Sequence, residues 1–201
     1  MNKIKEILIG TNNIGKYKEI CDLLPRKLIK YSPKKFKIFT PEETGKNFEE
    51  NSLLKASYFA KKTNLICLSD DSGLEIDLLG GRPGIYSARW GGKNNNFDLA
   101  IKKVFNEMSK VKKNWTNDNL AKFICCLTIY WPDGKYCTSR GEVEGKISEI
   151  KKGSKGFGFD PIFIPKGYSK TFAEMSPKKK ILVDHRYNAF LKIKKFFINK
   201  L

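Results

Sequence analysis

Ser69-Asp70-Asp71-Ser72-Gly73 puts two adjacent carboxylates directly after a short apolar run, Leu65 to Ser69. Neighbouring carboxylates disfavour each other's ionised form unless a cation lies close by. Magnesium takes one or two carboxylates and completes its shell with waters and substrate phosphates. Glu42 and Glu43 offer a second carboxylate pair upstream. These residues suit a magnesium site, while Asp70 and Asp71 also suit capping of the turn that follows them.

Two further clusters have the chemistry of a nucleotide site. Thr11-Asn12-Asn13-Ile14-Gly15-Lys16 follows an apolar strand-like run and opens a helical pattern. Free N–H groups at such a junction donate either to a phosphate or to an ordinary N-cap side chain, and Lys16 adds a point charge. Gly153 to Pro161 (GSKGFGFDP) is glycine-rich, and Lys180, His185 and Arg186 lie downstream. Phe157 or Phe159 could stack on a base, and Lys180 and Arg186 could hold phosphate or base oxygens. His185 also fits as an ordinary helix-start residue. Neither G-x-x-x-x-G-K-[ST] nor G-x-G-x-x-G occurs, so the standard phosphate-loop and dinucleotide sites are excluded. No Cys–His or Ser–His–Asp arrangement is evident. A magnesium-dependent nucleotide hydrolase that activates water is the simplest chemistry these groups support.

The elements that must position these groups are legible as patterns. Ile4 to Gly10, Phe36 to Thr40 and Leu65 to Ser69 read as strands. Ile14, Tyr17, Cys21 and Leu24 mark a helix ended by Pro25, and a second helix is expected from Asn47 to Lys62. That alternation predicts an α/β domain. Leu74 to Leu78 alternates as a half-exposed strand and leads to a loop at Gly80 to Gly84. Phe97, Ile101, Val104, Phe105 and Met108 mark another helix. Ala121 to Trp131 and Lys135 to Val143 flank Pro132-Asp133-Gly134 as a hairpin. Phe190, Ile193 and Phe197 mark a last helix. The lysine-rich segments 30–37 and 178–180 read as solvated turns.

Composition narrows the setting. The chain has 201 residues, 40% hydrophobic and 30% charged, enough apolar material for one domain over 1–201. No apolar window is long enough to span a membrane, and Met1 to Gly10 lacks a signal-peptide core. Five cysteines without C-x-x-C spacing suit a reducing compartment, so a cytoplasmic location is expected. One histidine excludes a zinc site built on two histidines of one chain. The net charge of +18 suggests a polyanionic partner, but its lysines are scattered over what read as helix faces. No nucleic-acid-binding signature accompanies them.

The chain resembles the inosine triphosphate pyrophosphatase family. The matching stretches are TNNIGKYKEI (11–20), EETGKNFEENSLLKA (42–56), SDDSGLEIDLLGGRPGIYSARWGG (69–92), GFGFDPIF (156–163) and TFAEMSPKKKILVDHR (171–186), in the family's order. The resemblance implies hydrolysis of non-standard purine nucleoside triphosphates (ITP, dITP, XTP) to the monophosphate and pyrophosphate, with Mg2+ as cofactor and Mn2+ as a substitute. It implies an α/β fold with a mixed long central sheet, two lobes flanking a substrate cleft, and a homodimer. No membrane or specific nucleic-acid partner is expected. A Maf-type pyrophosphatase of other specificity, and a basic nucleic-acid-binding protein, are the alternatives.

Site roles follow the matched positions. Thr11, Asn12, Asn13 and Lys16 fall in the phosphate-binding segment. Asp71 matches the catalytic and metal-binding carboxylate, Glu43 a second metal carboxylate, with Glu42 beside it, and Ser72 a substrate contact. Lys55 matches a lysine near the phosphates and is grouped with Asp71 as catalytic. Phe157, Gly158, Phe159 and Asp160 match the base-binding loop, and Lys180, His185 and Arg186 the base-reading segment. Two positions depart from the family pattern: Phe159 stands where tyrosine is usual, and Asp184 where serine is usual.

Overall fold

In the computed structural model, residues 4–197 are described; the ends of the expected domain, 1–3 and 198–201, lie outside them. The first strand, β1 (Glu6–Ile9), has Ile7, Leu8 and Ile9 fully buried. Side chains alternate across a strand, so both of its faces are covered, as parallel strands require. Asn13 accepts the Lys16 amide at 3.1 Å and starts α1 (Ile14–Leu23), which stops before Pro25. The residue before proline is pushed out of the helical region. Asn47 caps α2 (Phe48–Thr63) by accepting the Glu50 amide at 2.8 Å.

The sheet order is β2 (Ile29–Tyr31), β1, β3 (Cys67–Ile76), β4 (Leu120–Tyr130), β5 (Tyr136–Ile147) and β6 (Phe163–Pro165). β1 runs parallel to β2 and β3, and β5 antiparallel to β6. The sheet is mixed, as expected. The β4–β5 hairpin closes through Trp131, whose amide donates to the Lys135 carbonyl at 2.9 Å. The remaining helices are α3 (Phe97–Val111), α4 (Pro177–Lys180) and α5 (His185–Ile193).

The chain forms two compact units. The first comprises Met1–Asp71, Cys125–Gly141 and Arg186–Leu201, the second Ser72–Ile124 and Glu142–His185. The first buries Ile7, Ile9, Leu68, Leu127 and Ile129 with Ile20 of α1 and Phe190 and Ile193 of α5. A separate cluster in it joins Leu8 and Cys67 to Phe59 and Ala60 of α2. The second unit buries Leu74, Ile76, Phe123 and Phe163 with Ile101, Val104 and Met108 of α3. Among the described residues no helix is long and apolar enough to cross a membrane, and all five cysteines are free thiols.

Three local expectations are corrected. The strand expected at 36–40 is absent. β2 lies earlier, and Pro33–Phe36 forms one 3-10 turn that ends at Lys37 in a left-handed conformation (φ 55°). A left-handed residue at 37 interrupts the extended backbone that a strand over 36–40 would need. The strands read at 65–69 and 74–78 belong to one strand, β3, which runs straight through the polar residues Ser69 to Gly73. The aspartates stay in a buried strand because cations pair with them. Segment 178–180 is not a solvated turn: it lies in α4, and Lys180 is 6% exposed.

Candidate active site

The first unit gathers its charges on β3. Successive residues of a strand point to opposite faces, so Asp70 and Asp71 take different partners. Asp70 Oδ2 lies 3.1 Å from Lys16 Nζ in the first turn of α1 and accepts Arg186 Nη2 at 3.0 Å. Arg186 Nη1 also donates to Glu19 of α1. Burial alone would raise the pKa of Asp70, but Lys16 and Arg186 outweigh it and hold the carboxyl well below the usual carboxylate range.

Asp71 takes its partners from α2. Its Oδ1 lies 3.1 Å from Lys55 Nζ, and its Oδ2 accepts Asn51 Nδ2 at 3.2 Å. Asn51 and Lys55 are four residues apart and therefore share one helix face. The Lys55 ammonium also donates to Glu43 Oε1, in the loop before α2. Burial raises the pKa of Asp71, with Lys55 and Lys16 acting in the opposite direction. Burial disfavours the Lys55 ammonium, but Asp71 and Glu43 outweigh it and shift this group upward. Two carboxylates thus close on one cation.

The rest of the strand-to-helix segment lies beside this cluster in sequence. Thr11 Oγ1 accepts the Asn13 amide at 3.2 Å, and the Asn12 amide side chain donates to Thr40 at 2.9 Å. Gly10 has no room for a side chain, since a Cβ there would come within 2.0 Å of Ser69 Oγ.

The second unit carries a different constellation. The Lys180 ammonium donates to Asp160 Oδ2 at 2.7 Å, lies 3.7 Å from Asp184 Oδ2, and sits 5.2 Å and 5.3 Å from the ring centres of Phe157 and Phe172. Two carboxylates and two aromatic faces account for its burial. Asp160 Oδ2 also accepts the Phe157 amide at 2.9 Å. This tight loop needs glycine at 156, where φ is +75° and a Cβ would meet Asp160 Oδ2 at 2.0 Å. His185 stacks on Phe123 with ring centres 4.8 Å apart, and its Nδ1 lies 3.0 Å from Asp184 Oδ1 without hydrogen-bond geometry.

The expected residues therefore divide. Lys16, Glu43, Lys55, Asp71 and Arg186 come together around β3 in the first unit. Phe157, Asp160 and Lys180 come together in the second, with His185 joined to them through Asp184. Phe159 turns into the core and meets Phe97 edge-on at 5.3 Å. Gly158 follows Phe157 with φ +68°, and Ser72 is half-buried at the first position of the second unit. Sequence reasoning did not single out Glu19 or Asn51. Helical spacing was the available signal: Glu19 is three residues from Lys16, and Asn51 four from Lys55.

The model of the Ham1 family matches residues 7–196. The dITP/XTP pyrophosphatase of Bartonella quintana (strain Toulouse) is 44% identical over 180 residues, 88% of this chain and 84% of that protein. The dITP/XTP pyrophosphatase of Bacillus subtilis (strain 168) is 43% identical over 197 residues, 96% of each. Among solved structures, the Ham1 protein of Staphylococcus aureus matches with a TM-score of 0.83 at 38% identity, covering 96% of this chain and 97% of that one. A HAM1 protein from Coxiella burnetii matches with a TM-score of 0.84 at 33% identity, covering 94% and 96%.

Proposed function

Since the chain belongs to the Ham1 family, we propose that it is a hydrolase of dITP, XTP and ITP that releases the nucleoside monophosphate and pyrophosphate. The observation that carries this reading is the convergence of the buried Asp71 and the half-buried Glu43 on the Lys55 ammonium. Carboxylates beside lysine ammoniums suit a divalent cation and, through it and the lysines, a polyphosphate, and the relatives that share the sequence are named for such substrates.

The donor set fits magnesium. Glu43 and Asp71 supply two hard oxygen donors of the kind magnesium takes, here both turned to the Lys55 ammonium. Among the described residues no group of three or more His, Cys, Asp and Glu side chains forms a metal cluster, so waters and substrate phosphates would complete the shell. Glu43 and Asp71 would hold the ion. When bound it supplies charge neutralisation and polarises a phosphoryl oxygen.

The protein's own groups do the rest. Asp71 takes the proton of the attacking water on its carboxylate, and burial, by raising its pKa, makes it a stronger base than an exposed aspartate. Lys55 and Lys16 neutralise charge that grows on the triphosphate during attack at the α-phosphorus. Thr11, Asn12 and Asn13 flank the phosphate end. In the second unit Phe157 offers a ring to the base, and Lys180, held by Asp160, donates toward a 6-oxo group. A donor set built for a 6-oxo purine is left unpaired against the 6-amino group of ATP, which is how such a site discriminates. A homodimer and a cytoplasmic location complete the proposal.

Pyrophosphate release from dITP, XTP, ITP, GTP and ATP, with magnesium and after chelation, tests it. Turnover on the first three that vanishes with chelator is the expected result. Equal rates on ATP, or rates insensitive to chelation, would overturn it. Sedimentation of the purified protein checks the dimer.

A further inference from the structure

From the geometry around α2 we infer that Asn51 is a positioning residue that sets the spacing of the Asp71 and Glu43 carboxylates. The inference rests on the hydrolase reading above and deepens it. Asn51 is completely buried. Its Nδ2 donates to Asp71 Oδ2 at 3.2 Å, and its Oδ1 accepts the Gly45 amide at 2.8 Å. One planar amide thus ties β3 to the loop that carries Glu43, two residues before Gly45. A second bond fixes the same loop, from the Lys46 amide to Glu50 Oε2 at 2.8 Å.

The chemistry of the side chain matters at both ends. Asparagine presents a donor and an acceptor from one rigid group, so it can hold a carboxylate and a backbone N–H at once. An aspartate there would place a third carboxylate against Asp71, and a leucine of similar size would bond neither group. The approach is close enough to specify Gly45 as well: a Cβ at 45 would lie 2.6 Å from Asn51 Oδ1 and 2.9 Å from the Asn51 nitrogen. The donation to Oδ2 leaves Oδ1 of Asp71 facing Lys55, where Glu43 also arrives. Misplacing a reacting group by about 1 Å can cost about a hundredfold in rate, so a residue that only sets this spacing has kinetic weight.

The test is a double-mutant cycle on the full chain with dITP at saturating magnesium. Asn51→Ala is expected to lower kcat about 10- to 100-fold and to leave KM within about threefold, because the phosphate and base contacts remain. In a Glu43→Gln background the same change is expected to cost less than about threefold, since coupled residues are non-additive. Titration of the substrate-free protein with Mn2+ by calorimetry gives a readout apart from turnover: Asn51→Ala should weaken binding about tenfold. Should Asn51→Ala fail to fold by circular dichroism, Gly45→Ala run through the same cycle carries the test, because it disturbs the clasp from the loop side. An unchanged kcat, an equal loss in both backgrounds, or unaltered Mn2+ binding would overturn the positioning role while wild-type turnover keeps the hydrolase reading. A wild-type protein inactive on every purine triphosphate would overturn both.

Discussion

Lys55 Nζ stands 3.1 Å from Asp71 Oδ1, and both side chains are nearly inaccessible to water. A buried ammonium is tolerated only when its charge is matched, and here Asp71 and Glu43 match it. The pair links α2 to β3 and places a potential base beside a cation.

Asp71→Asn preserves the shape of that side chain and removes its charge. The protein should fold, and turnover on dITP should fall about 10²- to 10⁴-fold, the scale of lost general-base assistance. Steady-state pyrophosphate release at saturating magnesium checks it; wild-type turnover would remove Asp71 from the chemistry.

Lys55→Ala leaves Asp71 and Glu43 facing each other without their shared cation. Stability should drop by about 3–5 kcal/mol, as when one partner of a buried pair is removed, and turnover should drop for every triphosphate. The ratio of ITP to ATP rates should not move, because a phosphate-side group does not read the base. Urea unfolding and the two rates measure these effects separately.

Arg186→Ala should destabilise the first unit, by up to about 3–5 kcal/mol, since it takes one of two cations from the buried Asp70, leaving Lys16, and removes the ion pair with Glu19. Adding Asp70→Asn should recover part of the loss. If the two substitutions are additive in urea unfolding, the ion pair is not what Arg186 contributes.

Acid stability should depend on Asp70. Its folded-state pKa is depressed, so its contribution is fully present above the unfolded value of about 3.9 and is lost as pH falls through the lower folded value. Melting temperature should therefore fall below about pH 4 in the wild type. Asp70→Asn should be less stable at neutral pH and show a flatter fall on acidification. An unchanged slope in thermal melts would place the acid sensitivity elsewhere.

Lys180→Met keeps an apolar stem against Phe157 and Phe172 and removes the ammonium. A hydrogen bond to a charged group contributes about 1.5–3 kcal/mol, so the ITP-to-ATP preference should narrow about ten- to a hundredfold. Equal slowing of both substrates would assign Lys180 to holding the Asp160 loop instead.

Local signals in the chain were enough for α1, α2, α3 and α5, though not for the short α4, and for the character of the site. Asn13, Asn47 and Asn96 sit at helix starts and their side chains cap the first turn, which depends only on residues two or three positions apart. Pro25 and the Asp133-Gly134 turn act equally locally. The motif residues Lys16, Lys55, Asp71 and Lys180 were identifiable because their types and order resemble a known family.

Tertiary structure decided what those residues touch. Asp70 and Asp71 read as the end of a strand, suited to a metal or to capping a turn, yet they lie within a buried strand, because Lys16, Lys55 and Arg186 arrive from other elements to neutralise them. Arg186 meets Glu19 across 167 positions, a contact no periodicity encodes. His185 and Arg186 are neighbours in the chain but belong to different units: one stacks on Phe123, the other pairs with Asp70. Phe159 is an aromatic in a glycine-rich loop by sequence and a core residue by structure. In each case the outcome turns on whether a charge or ring finds its partner when distant segments pack, and the cost of burying an unmatched group makes that partner decisive.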